Sequence, residues 1–249
     1  MPANAADEAI SHLLTLITMR KAGIARGLSA VTPLAVAAVL LIGGPARAAG
    51  AAVGSVAARS TVSAAPRQLI TVTAASYRTT YATLRAYRMS GGKWVEVFGP
   101  WTARVGYNGV ARPGKKREGD GTTPSGSYGF SFFFGVDAAP HFAFPFRHAY
   151  TYDYWDDDQA SPRYNEWVDA KVANPGANPE PMHNVPAYDY AAVIAYNTAR
   201  VRGLGSAIFL HVGTGGSTAG CVSLPKAELM KVLGWLTPAD DPRITIAAV

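Results

Sequence analysis

The stretch from Ile208 to Pro225 reads IFLHVGTGGSTAGCVSLP and holds the chain's single thiol, Cys221, ten residues after an imidazole, His211. A thiol is a weak nucleophile until it ionises, and a neighbouring imidazole can take its proton. Apolar Ile208, Phe209 and Leu210 place His211 at the end of a strand. Gly213, Gly215, Gly216 and Gly220 then make a flexible loop, which can double back and set the two side chains next to each other. Gly220, immediately before the sulfur, allows a sharp turn and close approach of a substrate carbonyl. The N–H groups around Gly220 and Cys221 are candidates for binding the oxyanion that forms on attack. A solitary cysteine is ordinarily a buried small hydrophobe. Two features argue for a reactive one: exported proteins usually pair or lack their thiols, and this one sits in a Gly-rich turn close to a histidine.

The elements that must carry these residues are strand-like. Ordered structure begins near Gln68. Ile70, Val72 and Ala74 alternate with Thr71 and Thr73, and Ala82, Leu84 and Ala86 with Thr83, Arg85 and Tyr87, both periods of two that suit half-buried strands. Ser90-Gly91-Gly92-Lys93 supplies a hairpin turn into a strand over Trp94 to Phe98, with Val95 and Val97 on one face. Further strands are expected at Trp101 to Val105, Ser127 to Phe134, Ala191 to Tyr196, Ala207 to Val212 and Arg243 to Val249. Pro113 to Gly126 is a polar, Gly-rich loop. Ala138 to Pro186 is irregular, aromatic and Pro-rich, an excursion over the core and not a separate domain. One convincing helix follows Pro225, where Leu229, Val232, Leu233 and Leu236 recur at helical spacing. The fold class is therefore mainly β, with one or two short helices and long loops.

Composition limits the rest. The chain has 249 residues, 49% apolar and 16% charged, which supports a packed core and excludes general disorder. Its 25 Gly and 17 Pro exclude a long helical bundle. The formal charge of +6 is mild and dispersed, Lys115-Lys116-Arg117 being followed at once by Glu118 and Asp120, so no nucleic-acid partner is expected. One cysteine excludes an internal disulfide, a Cys-rich zinc module and an iron–sulfur cluster.

Residues 1–48 divide into an N-terminal extension and a secretory signal. Arg20, Lys21 and Arg26 precede the apolar run Leu34 to Ile42; Gly43-Gly44-Pro45 and Ala46-Arg47-Ala48 then give a helix break and a small-x-small cleavage site. The run falls short of the roughly 20 residues that span a bilayer, and an uncleaved anchor is the alternative. Asp7 and Glu8 sit awkwardly ahead of the basic region, so translation is expected to begin at Met19 and not at Met1. Residues 49–66 form a flexible leader, and 67–249 a single catalytic domain. The protein is expected to be secreted or wall-located and monomeric, and a positive surface draws it to anionic cell-wall polymers.

The same residues carry a likeness to a known family. His211, a loop, then Ser217-Thr218-Ala219-Gly220-Cys221-Val222 resembles the L,D-transpeptidase (YkuD-type) catalytic domain of cell-wall cross-linking enzymes, in which a histidine after a strand is followed by Ser-x-Gly-Cys-hydrophobic. Gly119-Asp120-Gly121-Thr122-Thr123-Pro124-Ser125-Gly126 is similar to the family's GDGxTPxG segment. The segments Tyr152 to Asp158 and Tyr164 to Val168 are similar to one secreted branch. The likeness runs from about Gln68 to Val249 and implies a β-sandwich-like fold. It also implies acyl transfer on peptidoglycan stem tetrapeptides: Cys221 as nucleophile, His211 as proton carrier, release of D-alanine, a 3-3 cross-link, and no metal or cofactor. Resolution of the thioester by water would make the enzyme a carboxypeptidase. Ser217, Ala219 and Gly220 are assigned to loop support and the oxyanion site. Departures are a short His-to-Cys interval, Ala219 in place of a histidine, and Ser223 in place of an arginine or asparagine; Ser223 cannot act as a guanidinium clamp.

Other candidates rank lower. His183, in Met182-His183-Asn184, is a packing or surface histidine, with a place in the cleft as the alternative that the resemblance offers. His141 and His148 flank Phe142 to Phe146, an aromatic run read as packing, with a carbohydrate platform as its rival. Asp156, Asp157 and Asp158 lack the alternating spacing of a calcium loop and read as a solvated turn. A zinc hydrolase using His183, His211 and Cys221 lacks paired ligand spacing. A wall-binding module without catalysis is the non-enzymatic rival.

Overall fold

The computed structural model describes residues 65–249. The extension, the signal and the leader as far as residue 64 lie outside the described residues. β1 (Gln68–Ala74) and β2 (Tyr81–Ser90) form antiparallel neighbours where the alternation placed them. β1 is buried on nearly its whole length, not on one face only, because it lies inside the sheet with both of its faces covered. Gly91 and Gly92, at φ +55° and +78°, turn the chain into β3 (Lys93–Arg104). Such a two-residue turn needs positive φ at both positions. The two strands expected over 94–105 are one. An irregular register opposite Ala86 bends it without ending it, at Gly99, where a Cβ would lie 2.6 Å from the Leu84 carbonyl oxygen. Val95 and Val97 share a face, and it is the exposed one.

The strand expected over 127–134 is two. β4 (Gly126–Tyr128) pairs with β13 (Arg243–Ala248), whereas β5 (Phe130–Gly135) pairs with β10 (Ala191–Ile194). The excursion over 138–186 is more ordered than its composition suggested. It contributes β6 (Phe146–His148) to the main sheet beside β5, and β7 (Asp153–Asp156), β8 (Glu166–Asp169) and β9 (Glu180–Pro181) to a separate sheet in the order β8-β7-β9. Strands of two to four residues are too short to display a period. β11 (Phe209–Val212), β12 (Val222–Leu224) and α1 (Lys226–Trp235) complete the elements, with a 3-10 turn at Pro238–Asp240.

The ten-stranded sheet runs β4-β13-β1-β2-β3-β12-β11-β10-β5-β6. One face buries Ile70, Leu84, Leu210, Val222 and Leu224 together with Leu229, Val232 and Leu233 of α1. Around β10–β12 the other face buries Phe134, Trp155, Met182, Tyr188 and Phe209. Each such side chain stabilises the fold by about 1.5–3 kcal/mol on burial. The architecture is thus mainly β with curled sheets. The aromatic run at 142–146 serves packing, Phe144 stacking on Phe133 at 4.5 Å between centroids. Asp156 to Asp158 is not a solvated turn. Asp156 is fully buried, accepting from Ser161 Oγ at 2.5 Å and from the Asp158 N–H at 2.9 Å, and Asp157 and Asp158 are half-buried.

Candidate active site

Strand parity brings the imidazole and the thiol to one face. β11 and β12 are parallel neighbours with Leu210 opposite Val222 and His211 opposite Ser223. Leu210, Val212, Val222 and Leu224 enter the large core, so Phe209, His211, Cys221 and Ser223 face the other way. Parallel neighbours usually need a crossover of a dozen or more residues; here the short Gly-rich segment 213–221 returns alone. It is pinned midway, Thr218 N–H donating to the Val105 carbonyl at 3.0 Å and Tyr107 N–H to the Thr218 carbonyl at 2.7 Å.

His211 is 8% exposed. Its Nδ1 lies 2.8 Å from the Val212 carbonyl oxygen. A carbonyl only accepts, so Nδ1 carries the hydrogen and Nε2 is left with the lone pair. Tyr188 meets the ring edge-on, 5.5 Å between centroids. Burial pushes the imidazole down to about 4, against the Val212 and Ala187 carbonyls, which favour its protonated form.

Cys221 is 6% exposed. Its Sγ accepts from the Phe209 N–H at 3.3 Å, and the thiol donates to the Ala207 carbonyl at 3.2 Å. Among the described residues no hydrogen bond joins the sulfur to the imidazole, which corrects the expected side-by-side pair. The sulfur is bonded instead to the Phe209 N–H and the Ala207 carbonyl. Continued one residue beyond β12, the register sets Cys221 level with Phe209, a diagonal step from His211 and roughly 8 Å between Cα positions. Burial raises the thiol pKa, with the Glu180 and Asp157 carboxylates adding to the rise and the Phe209 N–H and the Lys116 ammonium opposing it.

Cys221 and His211 line the same cavity, of about 290 Å³. Ser217, Ala219 and Gly220 line it as well, but the hydrogen bonds of that loop come from the residue between them. Thr218 Oγ1 donates to the Cys221 carbonyl at 2.6 Å and accepts from the Gly220 N–H at 3.2 Å. The Gly220 N–H is therefore engaged and is not a free oxyanion donor in this state. Gly220 serves close approach: a Cβ there would sit 3.2 Å from the Thr122 carbonyl oxygen and 3.3 Å from Ile208 Cδ1. His183 is half-buried and does not line the cavity; its neighbour Asn184 does. Among the described residues no group of three or more His, Cys, Asp or Glu side chains is placed to hold a metal ion.

The cavity is also lined by charged residues that motif reading passed over. Glu118, Asp157 and Glu180 line it with Lys116. Glu118 accepts from Tyr164 Oη and from Ser206 Oγ, the latter at 2.7 Å, and Glu180 accepts from Tyr188 Oη. Burial raises Glu180, and it raises Asp157 to about 7, helped by the charges of Glu180, Glu118 and Asp156. Asp157 Oδ1 is buried without a hydrogen-bond partner. For Lys116 and Glu118 the available signal was a basic run followed at once by acids inside a Gly-rich loop.

No curated protein gives a significant match to the chain. Among solved structures the chain is similar to the helical cell shape determining protein Pgp2 from Campylobacter jejuni, with 14% identity and a TM-score of 0.36 over 73% of this chain and 48% of that one. The chain thus spans about half the length of that protein. The model of the L,D-transpeptidase catalytic domain, YkuD, matches residues 67–246. With a match over well more than half its length, the chain belongs to the YkuD family of L,D-transpeptidase catalytic domains.

Proposed function

We propose that the protein is an exported cysteine acyltransferase that cross-links peptidoglycan stem peptides through a thioester on Cys221. Family membership supports a peptidoglycan-related function of the L,D-transpeptidase kind. The observation that carries the finer reading is that the chain's one thiol and an imidazole with a free Nε2 face one cavity. The signal-like segment ahead of residue 49 supports export.

Acylation starts when the Cys221 S–H turns from the Ala207 carbonyl and passes its proton to His211 Nε2. Sγ bonds to the carbonyl carbon after the third stem residue, and the C=O pair moves to oxygen. Collapse of this adduct restores C=O, breaks the C–N bond and expels D-alanine, its nitrogen taking the proton from His211. In the second half an amine of a neighbouring stem attacks the thioester. It loses a proton to His211 and returns the sulfur as thiol. The ring is neutral near pH 7, so Nε2 has a lone pair for the thiol proton. The burial that holds it near 4 makes the protonated ring a strong donor to the leaving amine and a weaker base than an ordinary imidazole. Hydrogen bonds of this kind are often absent before substrate binds and form in the complex.

The hold of Ala207 on the thiol favours one competing reading, a wall-binding relative without catalysis. Iodoacetamide alkylation separates the two. An active enzyme alkylates at Cys221 with a rate that falls on His211→Ala substitution, and Cys221→Ser gives no acyl-enzyme. An inert thiol, or activity retained by Cys221→Ser, overturns the proposal.

A further inference from the structure

Acyl transfer at Cys221 develops negative charge twice, on the sulfur and then on the carbonyl oxygen. His211 is held neutral, so it offers no standing positive charge to meet either one. The Ser223 side chain, opposite His211 in the register, carries none. Among the described residues lining the cavity, the one Lys or Arg side chain is Lys116.

Lys116 is 6% exposed, unusual for a lysine. Its stem passes Gly205, where a Cβ would come 3.0 Å from Cε, and its head ends at Gly220, where a Cβ would come 3.8 Å from Nζ. The missing side chain at Gly205 thus leaves room for the lysine stem, and the ammonium comes to rest in contact range of the residue that precedes the sulfur. An ammonium has three donors. Lys116 gives one to Asp120 Oδ1 at 2.6 Å and one to the Arg117 carbonyl at 2.8 Å. Asp120 is fixed in turn by the Arg117 N–H at 2.6 Å and the Thr122 N–H at 2.9 Å. The third donor remains for a ligand in the cavity.

We propose that Lys116 is a catalytic residue whose fixed ammonium stabilises the negative charge formed on Cys221 and on the carbonyl under attack. The inference rests on the reading of Cys221 as nucleophile. In this step the thiol proton goes to His211 Nε2, the S–C bond forms and the carbonyl pair moves to oxygen. Lys116 keeps its proton and neither makes nor breaks a covalent bond. The charged and titratable groups coupled to the sulfur are Lys116, which favours its ionisation, and Glu180, Asp157 and the Glu180-bound Tyr188, which oppose it. A charge on a buried side chain acts more strongly than one in solvent.

The test compares Lys116→Met and Lys116→Arg in the full chain. It reads alkylation against pH, then kcat and KM on a defined tetrapeptide stem, then cooperative unfolding. Lys116→Met is expected to shift the alkylation profile to higher pH by about one unit. It is also expected to lower kcat about a hundredfold with KM nearly unchanged. Lys116→Arg recovers most of both. A folded Lys116→Met chain with an unchanged profile and kcat overturns the proposal. If Lys116→Met fails to fold, the double variant Lys116→Met with Asp120→Asn, which leaves no orphan carboxylate, decides on the same readings. Failure of both to fold makes Lys116 a structural ion-pair member and overturns the proposal too. A wild-type chain that forms no thioester refutes the nucleophile itself. A wild-type chain that forms one, matched in rate by Lys116→Met, refutes Lys116 alone.

Discussion

The hydroxyl of Thr123 donates to the carbonyl oxygen of Cys221 at 3.1 Å, across 98 residues of sequence. The same oxygen of Thr123 accepts from the Gly106 N–H at 2.9 Å, and the side chain is fully buried. The Gly119–Gly126 segment is therefore bolted to the backbone of the residue that bears the sulfur. With Thr218 on the same carbonyl, two hydroxyls from two loops set the peptide plane after Cys221.

Thr123→Val keeps the shape and removes this link, leaving the buried Gly106 N–H without a partner. We expect a loss of about 1–3 kcal/mol in stability and slower alkylation of Cys221, with Thr123→Ser restoring both. Urea denaturation and alkylation rates check it. A Thr123→Val chain as stable and as reactive as wild type would show that the link is idle.

Gly220→Ala tests the close approach before the sulfur. The added methyl must displace the Thr122 carbonyl or Ile208, at an expected cost of about 1–3 kcal/mol. Because the displaced groups adjoin the residue that bears the sulfur, acylation should fall further than stability does. Thermal unfolding beside single-turnover acylation separates the two effects.

His211 and Asp157 give opposed pH dependences. Burial holds His211 near 4 against an ordinary 6.5, so the unfolded chain binds the extra proton between those values. Stability from this group is complete above pH 6.5 and is lost as pH falls through 4, by about 3 kcal/mol in all. Asp157 is raised from 3.8 to about 7, so the folded chain holds the extra proton and stability falls as pH rises through that window. The two slopes offset each other from pH 4 to 6.5. We expect Asp157→Asn to expose a steeper rise in stability with pH there, and to be the more stable chain above pH 7. Denaturation midpoints at pH 4, 5, 6, 7 and 8 would reveal identical profiles if the Asp157 carboxyl were not neutralised by its surroundings.

Much of this was legible in the residues, and the remainder was hidden for definite physical reasons. Alternation in Ile70 to Ala74 and the helical recurrence of Leu229, Val232 and Leu233 mark elements whose burial pattern is local, and those stand where expected. The loop from Gly213 to Cys221 was visible from its glycines, and the shared cavity of His211 and Cys221 follows from it. Register was not visible. The parallel pairing that sets His211 opposite Ser223, and so puts Cys221 a step before it, depends on which strand lies beside which. The acidic wall escaped notice because Asp157 and Glu180 come from the short-stranded excursion, whose side chains meet the cavity only through packing. Thr123 and Thr218 stood in the quoted segments without a role, since the group they hold is a backbone carbonyl, which no motif displays.

Intact-mass analysis of the chain mixed with a defined tetrapeptide stem tests the central claim most directly. The account predicts an adduct of the acyl tripeptide on Cys221, removed by hydroxylamine as a thioester would be, with one D-alanine released per adduct. An unmodified chain with D-alanine undetected, or an adduct that persists in Cys221→Ser, would contradict it.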